Sequence, residues 1–229
     1  MNKITLNRFK FLFNQILKGN FRNALRYKLW LIGYQTTLPA FIIRQIPIIE
    51  NGEALVEIPQ HPKIICIAPQ PFVRESVAKM LVKVADNLPQ NLYLKILYAY
   101  RDQETQKRFW DEVVRDTSSL QIAKSLSAKP GGIGPHQTGA AVDVTLTDSL
   151  GNELDMGTHY RDHSNIAKIP MFAKTCTPIQ KQNRKLLRQA MTRSGFYFYP
   201  GEWWHYSYGD QSWVAYTGDR NAVYGEKTL

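Results

Sequence analysis

The sequence predicts an α+β fold: a single compact domain with a central antiparallel sheet flanked by helices, plus a basic N-terminal arm. Three observations carry this. Segments of helical and of alternating period follow one another in the order β, α, β, α, β-hairpin, α, β, β rather than as a strict β–α repeat. The 229 residues are enough for one sizeable core, and a composition of 44% hydrophobic and 21% charged residues is ordinary for a globular chain. The net charge of +10 is not spread over the chain: residues 1–49 hold eight basic residues and no acid, leaving 21 basic against 19 acidic residues from Glu50 onward. This divides the chain into a basic arm, 1–49, and a main domain, 50–229, that is close to neutral. No nucleic-acid partner is expected, because the charge that would attract one is confined to the arm.

Each element has its own signal. In residues 1–30, Phe9, Leu12, Phe13, Ile16 and Leu17 fall at helical spacing with Lys and Arg between them. Such a cationic amphipathic segment suits an anionic membrane surface, and equally suits docking on its own domain or on a partner subunit. Residues 36–59, with three prolines, connect the arm to the domain. Ile64–Ile67 reads as a short strand containing Cys66, expected as a buried reduced thiol. Val73, Val77, Met80, Leu81 and Val84 mark one face of a helix. Leu92, Leu94 and Ile96 alternate along a strand that delivers Tyr100 and Arg101 at its end. Residues 103–115 read as helix, and the run from Pro130 to Pro135 as a loop. Ala140–Leu146 is a strand turned back by Asp148–Gly151. A helix over 180–194 is stopped by Gly195, with Lys181, Arg184, Lys185 and Arg188 expected on its solvated face. Phe196–Tyr199 and Trp213–Tyr216, aromatic and β-favouring, are read as strands. The two cysteines, Cys66 and Cys176, have no CxxC spacing and give no disulfide framework. With no recognisable leader and no apolar run long enough to span a bilayer, a cytoplasmic protein is expected.

The chemistry concentrates in two short stretches. His136 leaves a Gly/Pro-rich loop seven residues before Asp143, which lies in a strand between two valines. A carboxylate there needs water or a strong partner, since an unpaired buried charge is prohibitive. Near the end of the chain, Glu202 and His205 stand three residues apart around Trp203 and Trp204, an apolar wall holding two groups that need a chemical reason. Together His136, Asp143 and His205 make a two-histidine, one-carboxylate set suited to zinc with an open fourth position. Glu202 is then spare as a ligand and placed to act as a base. Arg101, at the mouth of an apolar strand, is the candidate for stabilising a developing oxyanion; paired with Asp102 or Glu104 it would be an ordinary surface arginine. His61 reads as structural or exposed; His159 and His163, in a polar loop, could line the site but are read as solvated loop histidines.

These residues resemble the zinc D-alanyl-D-alanine dipeptidases of the vancomycin-resistance type. The likeness runs from about Glu57 to Gly225. It rests on His136-x6-Asp143 with Gly139 between, Met156-Gly157-Thr158, Asn183-Arg184-x-Leu186-Leu187, Gly195-Phe196, Glu202-Trp203-Trp204-His205-Tyr206 and Tyr208-Gly209-Asp210. The resemblance implies a small α+β domain that cleaves D-Ala-D-Ala or related cell-wall peptides. It also implies zinc on His136, Asp143 and His205, Glu202 as general base, and Arg101 polarising the scissile carbonyl.

Four positions depart from the family pattern. Gly134 and Pro135 replace the usual serines before the first zinc histidine, and Asp102 replaces the proline after the arginine. Arg161 stands where the dipeptidases carry the aspartate that holds the substrate ammonium. An arginine there favours a carboxylate over an amine and makes Arg161 a candidate substrate-binding residue. Two other functions are compatible with the sequence: a zinc D,D- or L,D-carboxypeptidase or endopeptidase acting on longer peptidoglycan peptides, and a non-enzymatic zinc-bearing binding module, which would have no use for Glu202.

Overall fold

The structure, a computed structural model, describes residues 40–117, 134–160 and 162–229 and the isolated positions 17, 25, 28, 37, 38, 120, 123 and 131. The expected arm helix over 1–30, apart from those positions, and Arg161 lie outside the described residues. Among the described residues no helix is long and apolar enough to cross a membrane.

After a short helical turn, α1 (Ala40–Ile43), the strands β1 (Leu55–Glu57) and β3 (Phe72–Arg74) pair antiparallel, with Leu55 opposite Arg74. Between them runs β2 (Ile64–Cys66), the edge of the main sheet. The chain then enters α2 (Glu75–Asp86), whose buried stripe is Val77, Ala78, Leu81, Val84 and Ala85. Val73, read as the first residue of that stripe, belongs to β3 instead.

β4 (Tyr93–Tyr98) leads into α3 (Gln103–Asp116), and β5 (Ala141–Thr147) follows the Gly/Pro loop. Helix α4 (Pro178–Arg193) begins with Thr177 as N-cap, Pro178 in its first turn and Gln180 closing the capping box. It ends at Gly195, whose φ of 108° is open chiefly to glycine. The hairpin β6 (Tyr197–Phe198) and β7 (His205–Ser207) precedes α5 (Gln211–Thr217).

The main sheet has the order β2-β4-β5-β7-β6 among the described residues. It is antiparallel as expected except at its edge, where β2 runs parallel to β4. Strand β5 lies at its centre and is buried along its whole length. Alternation sends Val142, Val144 and Leu146 to one face, where they join Leu94, Ile96, Leu81, Leu187 and Met191 in one core. Each large side chain so buried is worth roughly 1.5–3 kcal/mol. The opposite face carries Asp143.

Three local expectations are corrected. Trp213–Tyr216 is helical, not a strand: the Asp210 carboxylate accepts the Trp213 N–H at 2.6 Å as N-cap, and left-handed Gly218 stops the helix. Capping at both ends outweighs the β-preference of aromatic residues. Cys66 is exposed rather than buried, because β2 is an edge strand with its third residue turned outward. Arg184 is not on the solvated face of α4. It is 2% exposed and donates to the carbonyls of Met156 (2.7 Å), Pro170 (2.6 Å) and Lys168 (2.6 Å). An arginine fork satisfies three loop carbonyls that apolar packing would orphan.

Arg184→Met should therefore cost about 3 kcal/mol or more in urea unfolding, since three buried acceptors lose their donor. The exposed neighbour change Lys185→Met should stay within about 0.5 kcal/mol. Equal costs for the two would contradict the buried role of Arg184.

Candidate metal centre

The centre is assembled by the pairing of β5 with β7. In this register Asp143 lies directly opposite His205, flanked by the pairs Ala141–Ser207 and Val142–Tyr206. A one-residue slip would turn the Asp143 or His205 side chain to the apolar face. The Asp143 Oδ1 oxygen accepts from His205 Nδ1 at 3.0 Å.

His136 arrives from a different element, the 3-10 turn Pro135–Thr138 that ends the Gly/Pro loop. Pro135 starts this turn, Gln137 Oε1 closes it by accepting the Gly134 N–H at 2.9 Å, and left-handed Gly139 (φ 70°) releases the chain into β5. The His136 Nδ1 lies 2.7 Å from the Ala99 carbonyl. A carbonyl only accepts, so Nδ1 carries the proton and Nε2 is left with its lone pair facing inward. That Nε2 is 3.4 Å from Asp143 Oδ1, and the two imidazoles meet edge to face with centroids 4.9 Å apart.

His136, Asp143 and His205 are all buried, and each offers one ligand atom within 4.8 Å of the others, so the group could hold a metal ion. The ionised Asp143 and neutral His136 suit that, and His205 must give up its proton to join them. Burial opposes the charge on Asp143, but His136 and His205 outweigh it and hold the carboxyl far below the usual range. Burial, helped by the charge of Arg101, lowers His136 against the pull of Asp143 and favours the neutral imidazole. Burial also disfavours charge on His205, but the Asp143 hydrogen bond and charge raise it overall. An ionised carboxylate beside imidazole nitrogens is the donor set that zinc accepts.

Arg101 leaves β4 just beyond its end and is 4% exposed, so it is not a surface arginine. Its guanidinium lies over the rings of Phe109 (4.1 Å) and Tyr98 (4.5 Å), and Nη1 donates to Gln106 Oε1 at 2.9 Å. Nη2 stands 4.0 Å from Asp143 Oδ2, while the buried Nε has no hydrogen-bond partner among the described residues. Asp102, in place of the family's proline, caps α3 through the Thr105 N–H at 2.6 Å and so fixes the helix that presents Gln106 and Phe109.

Glu202 sits in the turn joining β6 to β7, which is fastened on both sides. Trp203 N donates to Ile169 O at 3.1 Å, Trp203 Nε1 to Thr158 Oγ1 at 2.9 Å, and Val144 N to Trp204 O at 3.0 Å. Trp204 stacks edge to face on Tyr160, with centroids 5.6 Å apart. Burial raises the Glu202 carboxyl to about 7; Asp143 pushes the same way, and His205 and Arg101 pull against it. Such a value suits a group that exchanges a proton near neutrality.

The structure thus brings together His136, Asp143, His205 and Arg101, and couples Glu202 to them electrostatically. His159 is exposed, 3.9 Å from Glu153, and stands apart from the centre. His61 pairs with Asp86 at 3.1 Å. Sequence reasoning missed Gln106 and the Ala99 carbonyl, which orient Arg101 and His136. Gln106 had a signal, a polar residue one turn into a helix that starts beside the arginine; the carbonyl had none.

Residues 68–223 match the family model described as D-ala-D-ala dipeptidase. The chain belongs to that family. It is 42% identical over 90 residues to the D-alanyl-D-alanine dipeptidase of Synechocystis sp., covering 35% of this chain and 36% of the relative. It is 32% identical over 120 residues to the Escherichia coli D-alanyl-D-alanine dipeptidase, covering 50% of this chain and 54% of that one. The chain therefore spans about a third to a half of the length of these curated relatives. Among solved structures it is similar to the vancomycin-resistance D,D-dipeptidase VanXYg in complex with a D-Ala-D-Ala phosphinate analogue. That likeness has a TM-score of 0.43 and 18% identity and covers 73% of this chain and 60% of the other. It is also similar to the LD-carboxypeptidase LdcB, with a TM-score of 0.42 and 21% identity, over 82% of this chain and 79% of that one.

Removing one ligand should abolish metal binding. The chain is expected to bind one zinc per molecule with a rise in Tm that grows with free zinc, while Asp143→Ala retains almost none by elemental analysis. Full stoichiometry in Asp143→Ala would remove it from the ligand set.

Proposed function

We propose that this family member is a zinc-dependent D-alanyl-D-alanine dipeptidase. The observation that carries the reading is the convergence of His136, Asp143 and His205 beside a buried arginine and a carboxyl poised near neutrality. Zinc held by these three residues supplies a Lewis acid that makes water a usable nucleophile near neutral pH.

The remaining work falls to the chain's own side chains. Glu202, unprotonated, accepts a proton from the attacking water. As the carbon–oxygen bond forms, the carbonyl oxygen gathers negative charge, and the Arg101 guanidinium offers it N–H donors and positive charge. Glu202 then returns its proton to the leaving nitrogen as the carbon–nitrogen bond breaks, giving two molecules of D-alanine. The stacked rings of Tyr98 and Phe109 and the Gln106 oxygen hold Arg101 in place before substrate arrives, which avoids reorganisation during reaction. Burial raises the Glu202 pKa, and a hydrogen bond from Trp204 opposes part of that rise.

A second reading, cleavage of longer peptidoglycan peptides, is favoured by one feature of the sequence. Arg161 replaces the aspartate that would receive a free ammonium, and a positive side chain suits a carboxylate or a substrate with no amine at that place.

The test is release of D-alanine from D-Ala-D-Ala by zinc-loaded protein. Glu202→Ala should lower kcat by about 10²–10⁴ while binding zinc normally. A series of D-Ala-terminated peptides separates the two readings, since preference for the dipeptide excludes the second. Zinc binding without turnover of any member would leave a binding module. Because Glu202 must be unprotonated to act, activity should rise with pH along an acid limb centred at or below about 7. Glu202→Ala should lose that limb from its residual rate; its persistence would assign the limb to another group.

A further inference from the structure

We infer that Arg74, 0% exposed and outside the ligand set, is a positioning residue for His136. The inference rests on the reading of His136 as a metal ligand. It follows from where the carbonyls of the His136 turn find their donors, since each buried carbonyl needs one.

Four consecutive carbonyls, from His136 to Gly139, are all held. His136 O accepts from Arg101 N (3.3 Å) and Gly139 N (3.2 Å), and Gln137 O from Lys227 N (3.0 Å). Thr138 O accepts from Arg74 Nε at 2.6 Å, and Gly139 O from the Arg74 backbone N at 2.8 Å. Arg74 therefore grips the last two carbonyls of the turn, one with its side chain and one with its backbone. On the inner side the imidazole is held by the Ala99 carbonyl. The turn sits between two clamps, and the Nε2 atom of His136 is aimed by both.

Arg74 is itself fixed. Nη1 donates to Glu50 Oε1 (2.8 Å) and Glu53 O (2.6 Å), and Nη2 to Glu50 Oε2 (3.1 Å) and Gly225 O (3.0 Å). With Nε on Thr138 O, all the N–H groups of the guanidinium are used. Its carbon also lies 4.9 Å from the centroid of the Tyr224 ring. Two chain segments distant in sequence, 50–53 and 224–225, thus converge on one cation that passes their rigidity to the ligand-bearing turn. Lysine has the charge but not the planar fork, and cannot reach these acceptors together. Losing the outer support of a metal ligand weakens metal binding typically about 10–100-fold.

Three proteins should be compared for zinc affinity by chelator competition and, with cobalt in place of zinc, for the visible ligand-field spectrum. Arg74→Lys should bind zinc at least about tenfold more weakly, with a changed cobalt spectrum. Glu50→Gln loses the ion pair but keeps the Nε–Thr138 bond. It should lower Tm yet leave zinc affinity within about twofold and the spectrum unchanged, which a general loss of stability would not do. A folded Arg74→Lys with wild-type affinity and spectrum overturns the proposal, as does a Glu50→Gln that loses zinc equally. If Arg74→Lys fails to fold, Arg74→Gln, which keeps a shorter uncharged donor, is compared in the same way, and wild-type zinc affinity and spectrum there overturn the proposal. Wild-type protein that binds no zinc would instead defeat the ligand reading itself.

Discussion

The pairing of β5 with β7 is the constraint on which the rest of the structure depends. It places Asp143 opposite His205 on one face of the sheet while the valines beside Asp143 and the tyrosine beside His205 fill the core on the other. Because side chains alternate strictly, the core and the centre are set by the same register. The hydrophobic residues that make β5 the middle strand also specify where its one carboxylate points. Stability and chemistry are thereby coupled: the apolar pattern cannot slip without dismantling the centre.

Around that pair, burial and charge act against one another in a graded way. Burial raises Glu202 towards neutrality against the pull of His205 and Arg101, whereas at Asp143 the charges and hydrogen bonds of His136 and His205 outweigh burial. Two acids of similar intrinsic strength are separated by their surroundings into an anion and a carboxyl that titrates near neutrality. Arg101 contributes to this balance from a place fixed by rings and a glutamine oxygen, with Asp143 Oδ2 at 4.0 Å as its carboxylate neighbour.

The supporting shell depends heavily on arginine. Arg184 ties the loop from Met156 to Pro170 against α4, and that loop in turn fastens the Trp203 turn through Ile169 and Thr158. Arg74 does the corresponding work under the His136 turn. Both side chains are buried and both serve backbone carbonyls of irregular segments. Such segments have no ladder to satisfy them, and a planar fork of several donors fills that need.

Much of this was legible in the sequence. Period and turn chemistry located most elements, and the rarity of a carboxylate between valines, and of Glu and His among tryptophans, marked Asp143, Glu202 and His205. Those signals are local and survive in one dimension. What composition misjudged was local too, but decided by non-local burial: Arg184 looked solvated beside its lysine neighbours, Cys66 looked buried in its apolar run, and Trp213–Tyr216 looked like a strand until its caps were seen. The sequence by itself determined which groups were available for chemistry and which segments could carry them. Only the tertiary structure decided that His136 meets Asp143 and His205, and that one buried arginine faces them while others brace the backbone. Those relations depend on strand register and on carbonyls seeking donors far away in the chain, which no spacing of residues encodes.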